Sequence, residues 1–313
     1  MIKMVKRYFL GLLAGACFIM FFVGNPNSYQ LRSLEIFWNL GHIAAYSLWT
    51  YLLIKYFPPL NRQPYGYQWL WTMGLALLLG LIVEMIQKHY LDRTADLSDL
   101  IKNMIGCAFA LTFLMPVRHH TKRYYPLFLK IGILMVVMVE FLPLAQAITD
   151  EWIAKEQFPC LGTFETPFEI TRWEPINSKI KVSRAIKSQG KAALRVDLAT
   201  TKYSGATLEY FPRDWRGFSN ICFDVYNPQK SPLKMICRIN DFAHNRNGYH
   251  HQDRFNQKIR IEPGWNTIKI PITRVQSAPE NRRMNMTEIE AFTIYVSRLN
   301  QPRSIYLDGL RLN

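Results

Sequence analysis

The chain has 313 residues, room for about two domains, with a formal net charge of +15 and a mean hydropathy of −0.05. That hydropathy averages two unlike halves: long apolar runs fill residues 1–149, and short alternating segments follow from about 150. Both halves are basic, with 13 Lys and Arg against 7 Asp and Glu in the first 150 residues and 25 against 16 in the rest; without a nucleic-acid motif, this argues against DNA or RNA and for anionic lipid headgroups or anionic cell-surface polymer as neighbours.

A helix needs roughly 20 apolar residues to cross the hydrocarbon core. Five segments qualify: 8–24, 36–57, 68–88, 97–116 and 126–148. The first follows Lys3, Lys6 and Arg7 as a signal peptide would, yet its apolar run continues through Phe22 with no small-residue cleavage site, so it reads as a retained span. Lys and Arg concentrate in short cytoplasmic loops. Here they fall at the N-terminus, at Lys55 and Arg62, and at Arg118, Lys122 and Arg123, all on one side of a five-span topology. The expectation is a multi-pass protein with a cytoplasmic N-terminus, a transmembrane domain over 1–149 and an extracytoplasmic domain over 150–313.

Polar residues inside spans are costly and therefore informative. Asn39, His42 and Tyr46 share one face of the second span, Glu84 and Gln87 one face of the third, and Asp99, Asn103 and Gly106 one face of the fourth; Glu140 lies in the fifth. At 1.5 Å per residue, His42 lies about 9 Å from the outer end of its span, Glu84 about 6 Å, and Asp99 and Asn103 about 3–9 Å. They form one layer near the outer surface, to which the loop after the third span adds Arg93 and Asp96.

These residues carry a resemblance. Asn39-Leu-Gly-His42-Ile-Ala-Ala-Tyr46, Glu84-Met-Ile-Gln87, and Arg93-Thr-Ala-Asp96-Leu-Ser-Asp99-Leu-Ile-Lys-Asn103-Met-Ile-Gly106 resemble, in order and spacing, the H-x3-Y, E-x2-Q and R-x5-D-x3-N-x2-G pattern of the VanZ-like family of bacterial membrane proteins, over about residues 36–116. One position departs from the family: the Lys often found three residues before the His is Asn39 here. The resemblance implies a bacterial cytoplasmic membrane and cell-envelope biology, the namesake being associated with low-level resistance to a glycopeptide antibiotic that targets cell-wall precursors. It implies no reaction.

The residues themselves allow two readings. His42, Glu84 and Asp99 form a candidate catalytic or proton-relay set, with Tyr46, Gln87, Arg93 and Asn103 as candidate ligand-binding groups. Alternatively, Arg93 locks a loop through Asp96 or Asp99, Asn103 hydrogen-bonds between helices, and Gly106 permits close packing. No metal and no cofactor is expected, since no HExxH-type spacing occurs.

Beyond 158 the chain reads as short strands: 192–199, 206–211, 218–227, 233–240, 257–262, 266–272, 289–298 and 303–312. Asn227-Pro228 with Ser231-Pro232, and Glu262-Pro263-Gly264, mark hairpin turns. Cys222 and Cys237 flank the first of these and make the best disulfide candidate. The fold class expected is thus a five-helix transmembrane bundle plus an all-β jelly-roll sandwich.

Asp214-Trp215 before Phe223-Asp-Val-Tyr-Asn227, Gly264-Trp265-Asn266 before Ile-Lys-Ile-Pro-Ile, and the closing Ile305-Tyr-Leu-Asp308-Gly-Leu-Arg-Leu312 resemble the galactose-binding-like sandwiches that include many carbohydrate-binding modules. Trp265 and Asp308 read as framework. The segment 241–255 is denser in rings and hydrogen-bonding groups than a core strand allows; Asp241, His244, Tyr249, His250 and Asp253 are candidate ligand-binding residues, with a ligand-free solvated loop as the plain alternative.

Together these features favour an envelope membrane protein whose outer β domain recognises a glycan or lipid-linked saccharide. An intramembrane enzyme or transporter acting on lipid-linked envelope precursors, and a non-catalytic structural adaptor of envelope machinery, are the rival readings.

Overall fold

The computed structural model describes residues 31–90, 97–115 and 127–313, with short pieces between 11 and 19. Most of the first expected span, Arg93 with Asp96, and the 118–123 loop lie outside the described residues. The chain divides into two units, Met1–Gln146 and Ala147–Asn313.

The helices of the first unit are α1 (Arg32–Tyr56), α2 (Tyr65–Tyr90), α3 (Leu97–Phe109, continuing as a π-helical turn over Ala110–Leu114) and α4 (Leu127–Gln157), whose last turns from Ala147 belong to the second unit. Among the described residues three helices are long and apolar enough to cross a membrane: Tyr65–His89, Leu97–Leu114 and Leu127–Gln157. This corrects the expected five. α1 is long but not apolar enough, because Asn39, His42, Ser47 and Thr50 interrupt its hydrophobic positions and Arg32, Glu35 and Lys55 charge its ends.

The polar side chains of α1 turn inward, and His42, Ser47 and Thr50 are all buried. They meet α3, and matching positions advance together along both helices. His42 contacts Asn103, the Ser47 hydroxyl lies 3.0 Å from the Gly106 carbonyl, and Thr50 donates to Cys107 Sγ at 3.1 Å. α1 and α3 therefore run parallel. Glycine permits the approach: a Cβ on Gly106 would lie 2.5 Å from the Ile43 carbonyl oxygen, and one on Gly80 of α2 would lie 2.6 Å from Leu100 and 2.8 Å from Asn103.

The second unit is a sandwich of two antiparallel sheets. The six-stranded sheet has the order β3 (Ser178–Ser183), β4 (Ala193–Leu198), β11 (Arg303–Leu312), β6 (Asn220–Asn227), β9 (Gly264–Pro271), with β1 (Cys160–Gly162) beside β11. The five-stranded sheet has the order β2 (Trp173–Ile176), β5 (Ser204–Leu208), β10 (Ile289–Val296), β7 (Leu233–Asp241), β8 (Phe255–Ile261). Alternate residues such as Val196, Phe223, Ile239, Phe292 and Leu307 point between the sheets and form one continuous core with Trp215.

All eight expected strands occur, and β1, β2 and β3 join them. The missed strands gave weak signals. β1 spans three residues, and β2 contains Pro175, which a sheet tolerates at an edge, where β2 lies.

The two expected hairpin turns are corners instead. β6 and β7 lie in different sheets, as do β8 and β9, so the proline-marked turns carry the chain across the sandwich. The expected disulfide fails for the same reason. Cys222 lies on the outer face of the six-stranded sheet, Cys237 points from the other sheet into the core, and both are free.

At the start of this unit the Arg172 guanidinium donates to the Asp150 carboxylate at 2.7 and 2.9 Å, with both side chains almost wholly buried. It fixes the end of α4 to the turn before β2.

Gly106→Ala is expected to destabilise the helical unit by about 1–3 kcal/mol, since the Ile43 carbonyl is backbone and cannot step aside. Thermal unfolding in detergent micelles checks this, with Gly132→Ala, where a Cβ meets nothing within 4 Å, as the neutral comparison.

Candidate functional site

In the helical unit the parallel packing of α1 on α3 brings His42 to Asn103 and Asp99. His42 Nδ1 lies 2.9 Å from Asn103 Oδ1, and Nε2 lies 3.6 Å from Asp99 Oδ2. If Nδ1–H donates to the amide oxygen, Nε2 is left facing the carboxylate. Lys102, which sequence reasoning passed over, lies 3.2 Å from Asp99 Oδ1 and also donates to Ser98 Oγ. A Lys three residues after an Asp is ordinary on a helix surface, but here the lysine is buried.

Tyr46 is buried against Trp49, with its hydroxyl directed toward Gly80 of α2. Glu84 and Gln87 are buried on α2, Glu84 within electrostatic reach of Tyr46. His42, Asp99, Asn103 and Tyr46 thus share one neighbourhood, and Arg93 lies outside the described residues. A separate apolar cleft of about 500 Å³, lined by residues including Leu53, Phe57, Tyr67 and Trp71, lies at the end of α1 and the start of α2.

In the sandwich the 242–254 segment is the connection between the paired strands β7 and β8. Asp241 caps the short helix Phe242–Arg246 by accepting from the His244 amide. Its carboxylate also accepts both terminal nitrogens of Arg282 at 2.6 and 2.7 Å and the Asn285 amide at 2.7 Å. The same Arg282 donates to Asp253 at 2.5 and 2.9 Å. Asp241 and Asp253 are therefore engaged in holding the connection, and Arg282 is the residue that sequence spacing did not reveal, lying some thirty to forty positions further along.

His244 is fully buried, 3.6 Å from Asp253, with its ring edge-on to Tyr249. Neither ring nitrogen has a hydrogen-bond partner among the described residues. Burial, aided by the charges of Arg254 and Arg238 and opposed by Asp253, holds its pKa below the ordinary histidine value. Tyr249 is 63% exposed and held at a positive φ of 59° after Gly248. His250 is exposed at the tip of the connection. Among the described residues no cluster of three or more His, Cys, Asp or Glu is placed to hold a metal ion.

The register fixes what the outer face of the five-stranded sheet displays. Leu208, Phe292, Ile239 and Phe255 face the core, so the adjacent positions Thr207, Thr293, Arg238 and Asn256 form a row pointing outward. Thr207 and Thr293 hydroxyls are 3.1 Å apart, and Arg238 donates to Asn240. The next outward row contains Tyr295, whose ring packs edge-on to the exposed Tyr203 at 5.7 Å. Glu290, near the same face, accepts from Asn245 and Asn240, and burial raises its pKa against the pull of Arg213.

The outer face of the six-stranded sheet carries a different row: Lys181, Arg195, Tyr306, Tyr226 and Trp265, directly paired across five strands. The three aromatic rings follow one another at 6.1 and 5.2 Å. Trp265, expected as framework, is 39% exposed. Asp308 is framework: fully buried, it accepts the Ser188, Gln189 and Gly309 amides.

Solved structures with the same kind of sandwich are similar to this half of the chain. A family 11 carbohydrate-binding module from Clostridium thermocellum, in complex with a β-1,3-1,4-mixed-linked tetrasaccharide, matches with a TM-score of 0.38 and 17% identity, covering 49% of this chain and 93% of that one. An exo-β-agarase matches with a TM-score of 0.41 and 13% identity over 49% of this chain and 24% of the agarase, so the match spans only about a quarter of that enzyme. The CBM22-1–GH10 modules of a Clostridium thermocellum xylanase match with a TM-score of 0.34 and 11% identity over 49% of this chain and 27% of that one. No family model matches the chain, and no curated protein matches its sequence.

His244 sets a pH expectation. Its folded pKa lies below the ordinary 6.5, so the unfolded chain binds the proton more tightly. The stability it supports is complete above that value and is lost as pH falls through the lower, folded pKa. Melting temperatures measured from pH 7.5 to 5 should fall more steeply for the parent than for His244→Gln; parallel profiles would refute the assignment.

Proposed function

We propose that this is a membrane-anchored envelope protein whose β-sandwich recognises a saccharide on the outer face of its five-stranded sheet. The observation that carries this reading is the company kept on that face. The half-buried Tyr295 and exposed Tyr203 offer ring faces, edges and hydroxyls beside the half-buried Arg238 and Asn256. A pyranose presents apolar C–H patches and a rim of hydroxyls, and rings set beside amide, hydroxyl and guanidinium groups complement both.

Membrane anchoring is supported by α4. Leu134, Met138, Phe141 and Leu142 are 44–61% exposed, and its most apolar stretch has no buried residue. Hydrocarbon is the solvent that makes such a surface favourable. The basic loops favour an outer location for the sandwich, and the resemblance of 36–116 to the VanZ-like family favours the bacterial envelope.

The full chain should be purified in a zwitterionic detergent, because glycoside detergents would compete. It should then bind at least one polysaccharide from a panel of neutral and acidic polymers, with Tyr295→Ala weakening that binding about 3- to 10-fold. Absence of binding to every polymer would sink the reading. Protease added to intact spheroplasts should digest residues 150–313; digestion only after lysis would reverse the orientation.

A second reading rests on the buried His42–Asp99–Lys102–Asn103 group. Acid, base and cation in contact within a helical unit are the parts of a proton-transfer or anion-handling site acting on a lipid-linked envelope precursor. His42→Ala or Asp99→Ala that inserts at normal levels should then abolish any effect of the protein on susceptibility to a cell-wall-directed glycopeptide. Full retention of that effect would reduce the group to a helix–helix contact.

A further inference from the structure

The outer face of the five-stranded sheet holds two arginines that make no direct ion pair with a carboxylate among the described residues, although the charges of Glu290 and Glu209 reach Arg238. Arg172, Arg195, Arg216, Arg260 and Arg282 each pair with a carboxylate. Arg238 and Arg254 pair with none among the described residues, although both are half-buried. Arg238 bonds only to the neutral amide oxygen of Asn240. Glu290, whose charge reaches Arg238, is held by the amides of Asn240 and Asn245 rather than by a guanidinium. Asp253, next to Arg254 in sequence, is taken by Arg282.

Strand pairing sets Arg238 opposite Asn256, and Arg254 lies two residues before Asn256 on the same face, so the two guanidinium groups share one patch. Each is felt at the Tyr295 hydroxyl and at the His244 ring, and Arg254 adds to the burial that lowers the Arg238 pKa. Two like charges brought together out of water cost stability. The surrounding polar atoms are unsatisfied as well: Arg254 Nε and Asn256 Oδ1 are buried without a hydrogen-bond partner among the described residues, as are both His244 nitrogens. Strand pairing puts Asn256 directly beside Arg238, and the tyrosine pair lies one row away.

Resting on the saccharide reading above, we propose that the sugar this face binds is acidic, its carboxylate or sulfate ester seated between Arg238 and Arg254 while its ring packs on Tyr295 and Tyr203. An oxyanion there offsets the two like charges and accepts from guanidinium N–H groups that no carboxylate of the described residues engages. Asn256, half-buried and paired with Arg238 across the strands, flanks the position and addresses a neighbouring hydroxyl. A neutral glucan offers the tyrosines the same ring but nothing to the arginine pair.

The test uses the full chain in zwitterionic detergent at about 150 mM salt, where long-range attraction is screened. Oligosaccharides of polygalacturonate supply carboxylates, a carrageenan supplies sulfate esters, and mixed-linked β-glucan supplies neither. One of the two acidic ligands should bind about 10-fold or more tightly than the glucan, and Arg238→Gln and Arg254→Gln should each lower the affinity for that ligand about 10-fold and by more than they lower affinity for the glucan. Arg254 Nε makes no hydrogen bond that its replacement would break, and melting temperatures no lower than the parent's certify both variants. The double variant Lys179→Gln/Lys181→Gln, on the other sheet's outer face, should keep full affinity. Equal binding of glucan and acidic sugars, or equal loss in the lysine variant, overturns the acidic preference while the saccharide reading stands. Binding of no glycan overturns both.

Discussion

Arg282 bridges Asp241 and Asp253, and the outer end of the five-stranded sheet is organised around that bridge. A carboxylate with no exposed surface, as in Asp241, needs a cation and further donors to replace the water it has lost. Arg282 does so from the segment between β9 and β10, and joins it to the end of β7 and the start of β8. With those points fixed, the connection between β7 and β8 closes over His244, projects Tyr249 into solvent and sets Arg254 on the outer face. The Arg172–Asp150 pair works likewise at the start of the sandwich. The two most deeply buried arginine–carboxylate contacts of the sandwich thus come with a partner, whereas Arg238 and Arg254, half-buried on one face, have no carboxylate in direct contact among the described residues.

The strand pattern was legible because a half-buried strand must alternate. Eight strands, and the helical character of 36–57, 68–88, 97–116 and 126–148, follow from periodicity and length alone. Sheet membership was not legible. Asn227-Pro228 and Glu262-Pro263 mark a change of direction equally well for a hairpin and for a corner, and only the pairing of distant strands decides between them. The Cys222–Cys237 expectation failed with the hairpin. For the site, the sequence marked 241–255 by its density of polar groups and rings, but Arg282, Arg238 and Tyr295 come from other strands and loops. Among helical residues, spacing put His42, Asp99 and Asn103 on faces, and contact between α1 and α3 followed; the burial of Lys102 had no signal, since lysine at that spacing usually faces water.

The helical unit meets the same rule about buried polar groups by different means. α1 is the most polar of the long described helices, and its Ser47, Thr50 and His42 bond to α3. Gly106 and Gly80 bring the backbones near enough for these short side chains to reach. Small residues and polar contacts thus occur together on one interface, whereas the most apolar stretch of α4 displays its side chains. The count of three strongly apolar helices reflects this: the helix that fails on hydropathy is the one with most to hide.

The margins of the two sheets have a consequence for encounters between copies. An open strand edge invites a second chain to add on and propagate. β2 at one edge carries Pro175, which lacks the amide hydrogen needed to donate. β3 at another edge turns Lys179 and Lys181 outward, β8 turns out Lys258 and Arg260, and β9 turns out Lys269 and ends at Pro271. The edge strands β2, β3, β8 and β9 thus each bear a charge or a missing donor, devices that oppose edge-to-edge addition of a second copy.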